Sequence, residues 1–241
     1  MKLILAALAA IAAGAAAQWE APWDSQVTTV PTSDYRYTVA SKPFRLLLKS
    51  NNATLDGTAL GACHQGILRK WLCFSNRRLA INDRSDEAMY GFTFYHNVSS
   101  AVPDNPNAVD RPGVLGWNIQ PGRPNHTETY HLSMNIETGA VSDSKRTPNI
   151  GVLIFDNDWG YERQYTLVNF DQCGQMYRAD TENPPMNVKN WYVCDVQYNY
   201  QYEPLAWKVG LTSELNNPTC QKVEVERIWL DGEGHAGKSC W

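Results

Sequence analysis

The most explicit chemical signal in the chain is its tail. Gly232, Gly237, Lys238 and Ser239 spell G-x-x-x-x-G-K-[ST], and Gly232, Gly234 and Gly237 spell G-x-G-x-x-G. Phosphate loops of this kind work because backbone N–H groups cradle the anion at the start of a helix. Only Cys240 and Trp241 follow Ser239, so no such helix is expected, and no nucleotide site with it. Cys63 and His64 are adjacent and could be read as a catalytic pair. Neighbours on an extended chain point to opposite sides, however. A local disulfide from Cys63 to Cys73 is the simpler chemistry, and closing so short a loop stabilises by about 2–3 kcal/mol.

Other candidates for ligand chemistry are weaker in pattern. His126 and His131 are the closest histidine pair, but their spacing puts them on opposite faces of a strand, and no zinc-type Cys/His spacing occurs. In "FDNDWGYE", Asp156 and Asp158 could share one side, with Trp159 beside them as an exposed aromatic. The calcium-loop pattern fails there because Gly160 arrives one position early. A hairpin turn between "GVLIF" and "YERQYTLVNF" explains the same residues without a ligand. Glu128, Glu137, Asp156, Asp158 and Glu162 are the carboxylates a glycosidase could draw on, but no local pattern pairs them. No metal, cofactor or catalytic residue is expected. The remaining candidate is the stripe Tyr198, Tyr200 and Tyr202 in "CDVQYNYQYE", read as one alternating strand. Such a stripe can stack sugar rings or serve as core. The wholly polar opposite face makes core the default.

The elements that must position these residues are strands. Phe44, Leu46 and Leu48 alternate in "PFRLLLKS", and Leu115, Trp117 and Ile119 in "VLGWNIQ". Tyr130, Leu132, Met134 and Ile136 alternate in "TYHLSMNIE". Phe92, Phe94 and Val98 do so in "GFTFYHNV", with His96 on the same side. "NIGVLIFD" is a continuous apolar run suited to a strand covered on both faces. Gly, Pro, Asn and Asp clusters separate the runs, and no stretch shows a helix-length period. The expectation is an all-β sandwich or jelly roll in one domain over residues 41–241. An extended arm over residues 18–40 precedes it and ends in a short strand near Tyr35–Val39.

"MKLILAALAAIAAGAAAQWE" reads as a secretory signal peptide over residues 1–17, with Ala15-Ala16-Ala17 as the cleavage pattern. Its apolar run falls short of the roughly 18 residues a span needs. No other run is long enough to cross a bilayer, so no membrane anchor is expected. Six cysteines in an oxidising compartment point to three disulfides. Sequons at Asn52, Asn97 and Asn125 suggest glycosylated loops, whereas Asn217-Pro218-Thr219 is excluded by its proline. A net charge of −4 argues against a nucleic-acid partner.

Three segments carry a family likeness: "PFRLLLKSNNATLDGTALGACHQG", "WYVCDVQYNYQYEPLAWKVG" and "NNPTCQKVEVER". Through them the chain, from Pro43 to about Trp229, resembles a family of secreted fungal proteins with few characterised members. Arg69-Lys70-Trp71 stands where that pattern has small residues. The resemblance implies a β-rich extracellular domain of unknown function and carries no catalytic residues with it. Its "WYVC" and "NPTC" blocks suggest a disulfide between Cys194 and Cys220, which leaves Cys173 and Cys240 as the third pair. The leading expectation is a secreted, non-enzymatic extracellular or cell-wall-associated protein that binds glycans through exposed aromatics. The alternatives are a carbohydrate-active hydrolase whose carboxylates the fold brings together and a secreted effector that binds a host protein.

Overall fold

Period-two runs become strands, and their alternation decides what each strand covers. A computed structural model describes residues 39–64, 69–80, 82–98, 111–119, 128–135, 150–156, 166–179, 187–197, 201–208, 215 and 217–231. All of them belong to one compact unit, Tyr35–Trp241. The first elements are β1 (Val39–Ala40), β2 (Phe44–Lys49), β3 (Leu60–His64), β4 (Arg69–Phe74) and the helix α1 (Asp86–Phe92). Then come β5 (Phe94–Val98), β6 (Gly113–Ile119), β7 (Glu128–Asn135), β8 (Ile150–Asp156), β9 (Leu167–Phe170) and β10 (Met176–Ala179). The last are β11 (Asn187–Val188), β12 (Trp191–Val193), β13 (Val196–Gln197), β14 (Gln201–Tyr202), β15 (Leu205–Lys208) and β16 (Gln221–Trp229). The all-β expectation holds.

One antiparallel sheet of 14 strands dominates, in the order β1-β5-β2-β16-β12-β15-β8-β7-β6-β9-β10-β11, with β3 attached through β4 to β8. β5 also pairs with β6, from Phe94↔Trp117 to Val98↔Gly113. That pairing closes a circuit through β5, β2, β16, β12, β15, β8, β7 and β6. The two layers expected of a sandwich are therefore two arcs of one hydrogen-bonded circuit, which also covers edges that an open sheet would expose.

The interior follows from register. Phe44↔Trp229, Leu46↔Arg227 and Leu48↔Val225 are direct partners on β2 and β16, so these residues share the inner face. Phe94 stacks on Phe155 from across the circuit at 5.7 Å. Trp117 reaches the same ring at 6.0 Å, and Trp191 meets Trp207 edge-on at 4.7 Å. Burying each such side chain contributes about 1.5–3 kcal/mol. The Trp191 Nε1–H donates to the Met176 carbonyl at 2.8 Å, which satisfies the indole in the core.

Three readings of the sequence need correction. A helix does form, over Asp86–Phe92. Ser85 caps it by accepting the Ala88 N–H at 3.3 Å. At seven residues it is too short for a 3.6-residue period to show, and Phe92 ends it rather than starting a strand. Second, the tyrosine stripe is not one strand. β13 and β14 form a separate hairpin with Val196↔Tyr202 and Gln197↔Gln201 as partners. Third, β8 and β9 are not a hairpin: β9 pairs with β6 and β10, and β8 with β7, β15 and β4.

Candidate functional site

Alternation along four strands builds two apolar clusters, one on each face of the same wall. Leu72, Leu153, Trp191 and Trp207 lie in the main core. Their sequence neighbours Trp71, Cys73, Val152, Tyr192 and Ala206 lie in a second cluster with Cys194, Val196, Tyr202, Cys63 and Cys220. Both disulfides among the described residues belong to this second cluster: Cys63–Cys73 and Cys194–Cys220, as expected. Cys173 is disulfide-bonded as well. Its expected partner, Cys240, lies outside the described residues.

The hairpin β13–β14 is held onto this face at several points. Cys194–Cys220 ties its entry to the start of β16, beside the partners Val193↔Gln221. Cys73 bridges to Pro204, and the Phe74 N–H donates to the Glu203 carbonyl at 2.8 Å. The proline-blocked sequon works here as a clamp. The Asp195 N–H donates to Thr219 Oγ1 at 2.9 Å, and Asn217 Nδ2 donates to the Asp195 carbonyl at 3.0 Å. The Tyr202 ring packs edge-on to Trp71 with centroids 5.2 Å apart.

Trp71 is buried, whereas Tyr192 and Tyr202 are half-buried. Asp195, Gln201, Glu203, Gln221 and Lys222 are exposed polar residues on or beside the strands that carry these rings. Tyr192 and Lys222 are direct cross-strand partners. Burial raises the Glu203 carboxyl above its usual range, and the neighbouring Asp195 charge adds to the effect. Burial also lowers Lys70. Chemically, the face offers aromatic surface for C–H stacking together with polar side chains able to bind hydroxyl groups.

The sequence-derived candidates fare unequally. Tyr202 packs, half-buried, against the second cluster. Tyr198, Tyr200, Asp158 and Trp159 lie outside the described residues. Asp156 ends β8, in register with Arg69 on one side and His131 on the other. The glycine-rich tail, the expected signal peptide and Asn125 also lie outside them. Among the described residues no group of three or more His, Cys, Asp or Glu could hold a metal ion. No described helix is long and apolar enough to cross a membrane.

Pattern reading missed a second polar region, inside the circuit. Arg227 is 1 % exposed and lies 4.1 Å from the Trp229 ring, 4.3 Å from Phe170 and 5.7 Å from Phe44. Burial lowers its pKa to about 10, against the opposing pull of Asp171. His96 is equally buried, and its ring meets Phe170 edge-on at 5.2 Å. Its Nε2 bonds the Val168 carbonyl at 3.1 Å. Burial, reinforced by the Arg227 charge, lowers its pKa to about 4, so the ring is neutral near neutral pH. A Cβ on Gly113 would stand 2.6 Å from that Nε2, so glycine is required where β6 passes the imidazole. Arg45, 2 % exposed, points to the other face and donates to the carbonyls of Ala80 and Asp83, pinning the irregular segment before α1. The signal was in the sequence: parity places Arg227 between Val225 and Trp229 on the inner face, and His96 between Phe94 and Val98.

Fold and site together define a disulfide-bonded, all-β domain with a partly exposed aromatic face. The chain belongs to the DUF7907 family, a domain of unknown function, which matches residues 41–228. No curated protein and no solved structure matches it.

Proposed function

We propose that this is a secreted, non-enzymatic binding protein of the cell exterior, and that it engages polysaccharide through the face carrying Tyr192 and Tyr202. The observation that carries the reading is the convergence of two disulfides and three aromatic side chains on that face. Structural disulfides suit an oxidising compartment, in agreement with the leader-like N-terminus. Rings fixed by neighbouring covalent links lose little further freedom on binding. A second reading, a carbohydrate-active hydrolase, is favoured by the Glu203 carboxyl, which partial desolvation and then the Asp195 charge raise above its usual range, as suits a general acid.

One experiment separates the two. The purified protein is passed over a panel of insoluble polysaccharides, and both retention and released sugars are measured. Retention without release supports the binding protein. Release that Glu203→Gln abolishes establishes the hydrolase. No retention on any polymer removes glycan binding and leaves a protein-directed effector as the reading to pursue.

A further inference from the structure

The sequence alone treats its three sequons alike, but the structure separates two of them. Asn52 lies in the connection between β2 and β3, where Asn51, Ala53 and Thr54 are exposed and Asn52 is partly so. Its Oδ1 accepts the Thr54 N–H at 2.9 Å. Its carbonyl accepts the N–H groups of Leu55 at 3.0 Å and Asp56 at 2.9 Å, so the turn holds its own shape. Its Nδ2 donates to Gln221 Oε1 at 2.5 Å. An amide nitrogen carries two hydrogens, and one suffices for that bond. The other can be replaced by a sugar without breaking any of these contacts.

Asn97 is placed very differently. It sits inside β5, paired with Ala40 on one side and with Val114 on the other. The residue is 6 % exposed, and its sequon neighbour Val98 is 1 % exposed. A sugar on this nitrogen would have to displace packed protein, at a cost comparable to overpacking a core. Asn125 lies outside the described residues.

We propose that Asn52 is an N-glycosylation acceptor and that Asn97 stays unmodified in the folded protein. The inference rests on the reading that the chain enters the secretory pathway. The co-reactant is an oligosaccharide carried on a lipid pyrophosphate. A bond forms between Asn52 Nδ2 and C1 of the first sugar. The C1–O bond to the pyrophosphate breaks, the lipid pyrophosphate departs with the electron pair, and Nδ2 gives up one proton. A chain modified at Asn97 could not close β5 between β1 and β6.

The test is glycopeptide mass spectrometry of the full chain secreted from a eukaryotic host, alongside Asn52→Gln and Asn97→Gln. The expected result is a glycan on Asn52, a bare Asn97, loss of that glycan in N52Q, and no change of glycan content in N97Q. A bare Asn52, or a glycosylated Asn97 in natively folded protein, overturns the proposal. Retention of the chain inside the cell would instead refute the secretory reading. The same chain is therefore also produced behind an established secretory leader, where a bare Asn52 overturns the acceptor assignment itself.

Discussion

The wall formed by β4, β8, β12 and β15 separates two regions that handle polarity in opposite ways. Inside, Arg227 lies over the rings of Phe44, Phe170 and Trp229, and His96 meets Phe170 edge-on. Outside, Trp71, Tyr192 and Tyr202 lie in a cluster with two disulfides, beside the clamp in which the Asp195 N–H donates to Thr219 and its carbonyl accepts from Asn217, and the tyrosines are half-buried. The inner arrangement encloses its polar groups: Arg227 and His96 are each 1 % exposed, so a ligand in solvent does not reach them. The outer arrangement keeps its aromatic surface available. On the proposed reading, the buried charge serves stability and the half-buried tyrosines serve recognition.

The largest way to break this division is at Arg227. Arg227→Ala removes the cation–ring contacts and leaves a cavity, so a loss of about 4 kcal/mol is expected in denaturant titration. Arg227→Met keeps most of the volume and should cost less than half as much, because exchanging a buried charge for apolar bulk recovers its desolvation. Equal losses in the two variants would show that the charge itself holds the region. On the outer face, replacing Cys194 and Cys220 by alanine opens a link spanning 26 residues of sequence. The chain-entropy cost is about 3.5 kcal/mol. This variant should also weaken polysaccharide retention, which Arg227→Met should not.

Acid tests the inner region through His96. Unfolded His96 takes up its proton near pH 6.5, whereas folded His96 does so only near 4. The neutral ring's contribution is therefore complete above pH 6.5 and is lost as pH falls towards 4, by about 3 kcal/mol in all. Denaturant midpoints measured across that interval should fall less steeply in His96→Gln than in the parent. Parallel slopes would contradict a buried neutral imidazole. A smaller effect is expected from Cys63→Ala with Cys73→Ala. That bridge spans 10 residues of sequence and contributes about 2.5 kcal/mol.

The fold was legible in the sequence to the extent that parity determines it. Phe44, Leu46 and Leu48, Leu115 and Trp117, and Val223 and Val225 all lie where alternation puts them. The β13–β14 hairpin was not legible, for a physical reason. Val196 and Tyr202 are cross-strand partners six positions apart, so they keep the same parity in the sequence and two paired strands imitate a single one. The closure of the circuit by β5–β6 depends on contacts that no local window contains. The helix left only its capping signal, Ser85 followed by Asp86 and Glu87. The site was half legible. Tyr202 and all four of its cluster's cysteines were named from sequence. Trp71 and Tyr192 join them only because the sheet brings β4 and β12 beneath the hairpin.

The central claim is that the outer face binds and the inner region only stabilises. It is tested most directly by comparing the affinity of the parent for a retained polysaccharide with that of Tyr192→Ser/Tyr202→Ser. Stability and disulfide content of both proteins are checked in parallel. The account predicts a loss of affinity of roughly tenfold or more, as expected when one or two stacking contacts worth about 1–1.5 kcal/mol each are removed, with the fold intact. Unchanged affinity in a folded double variant would contradict it.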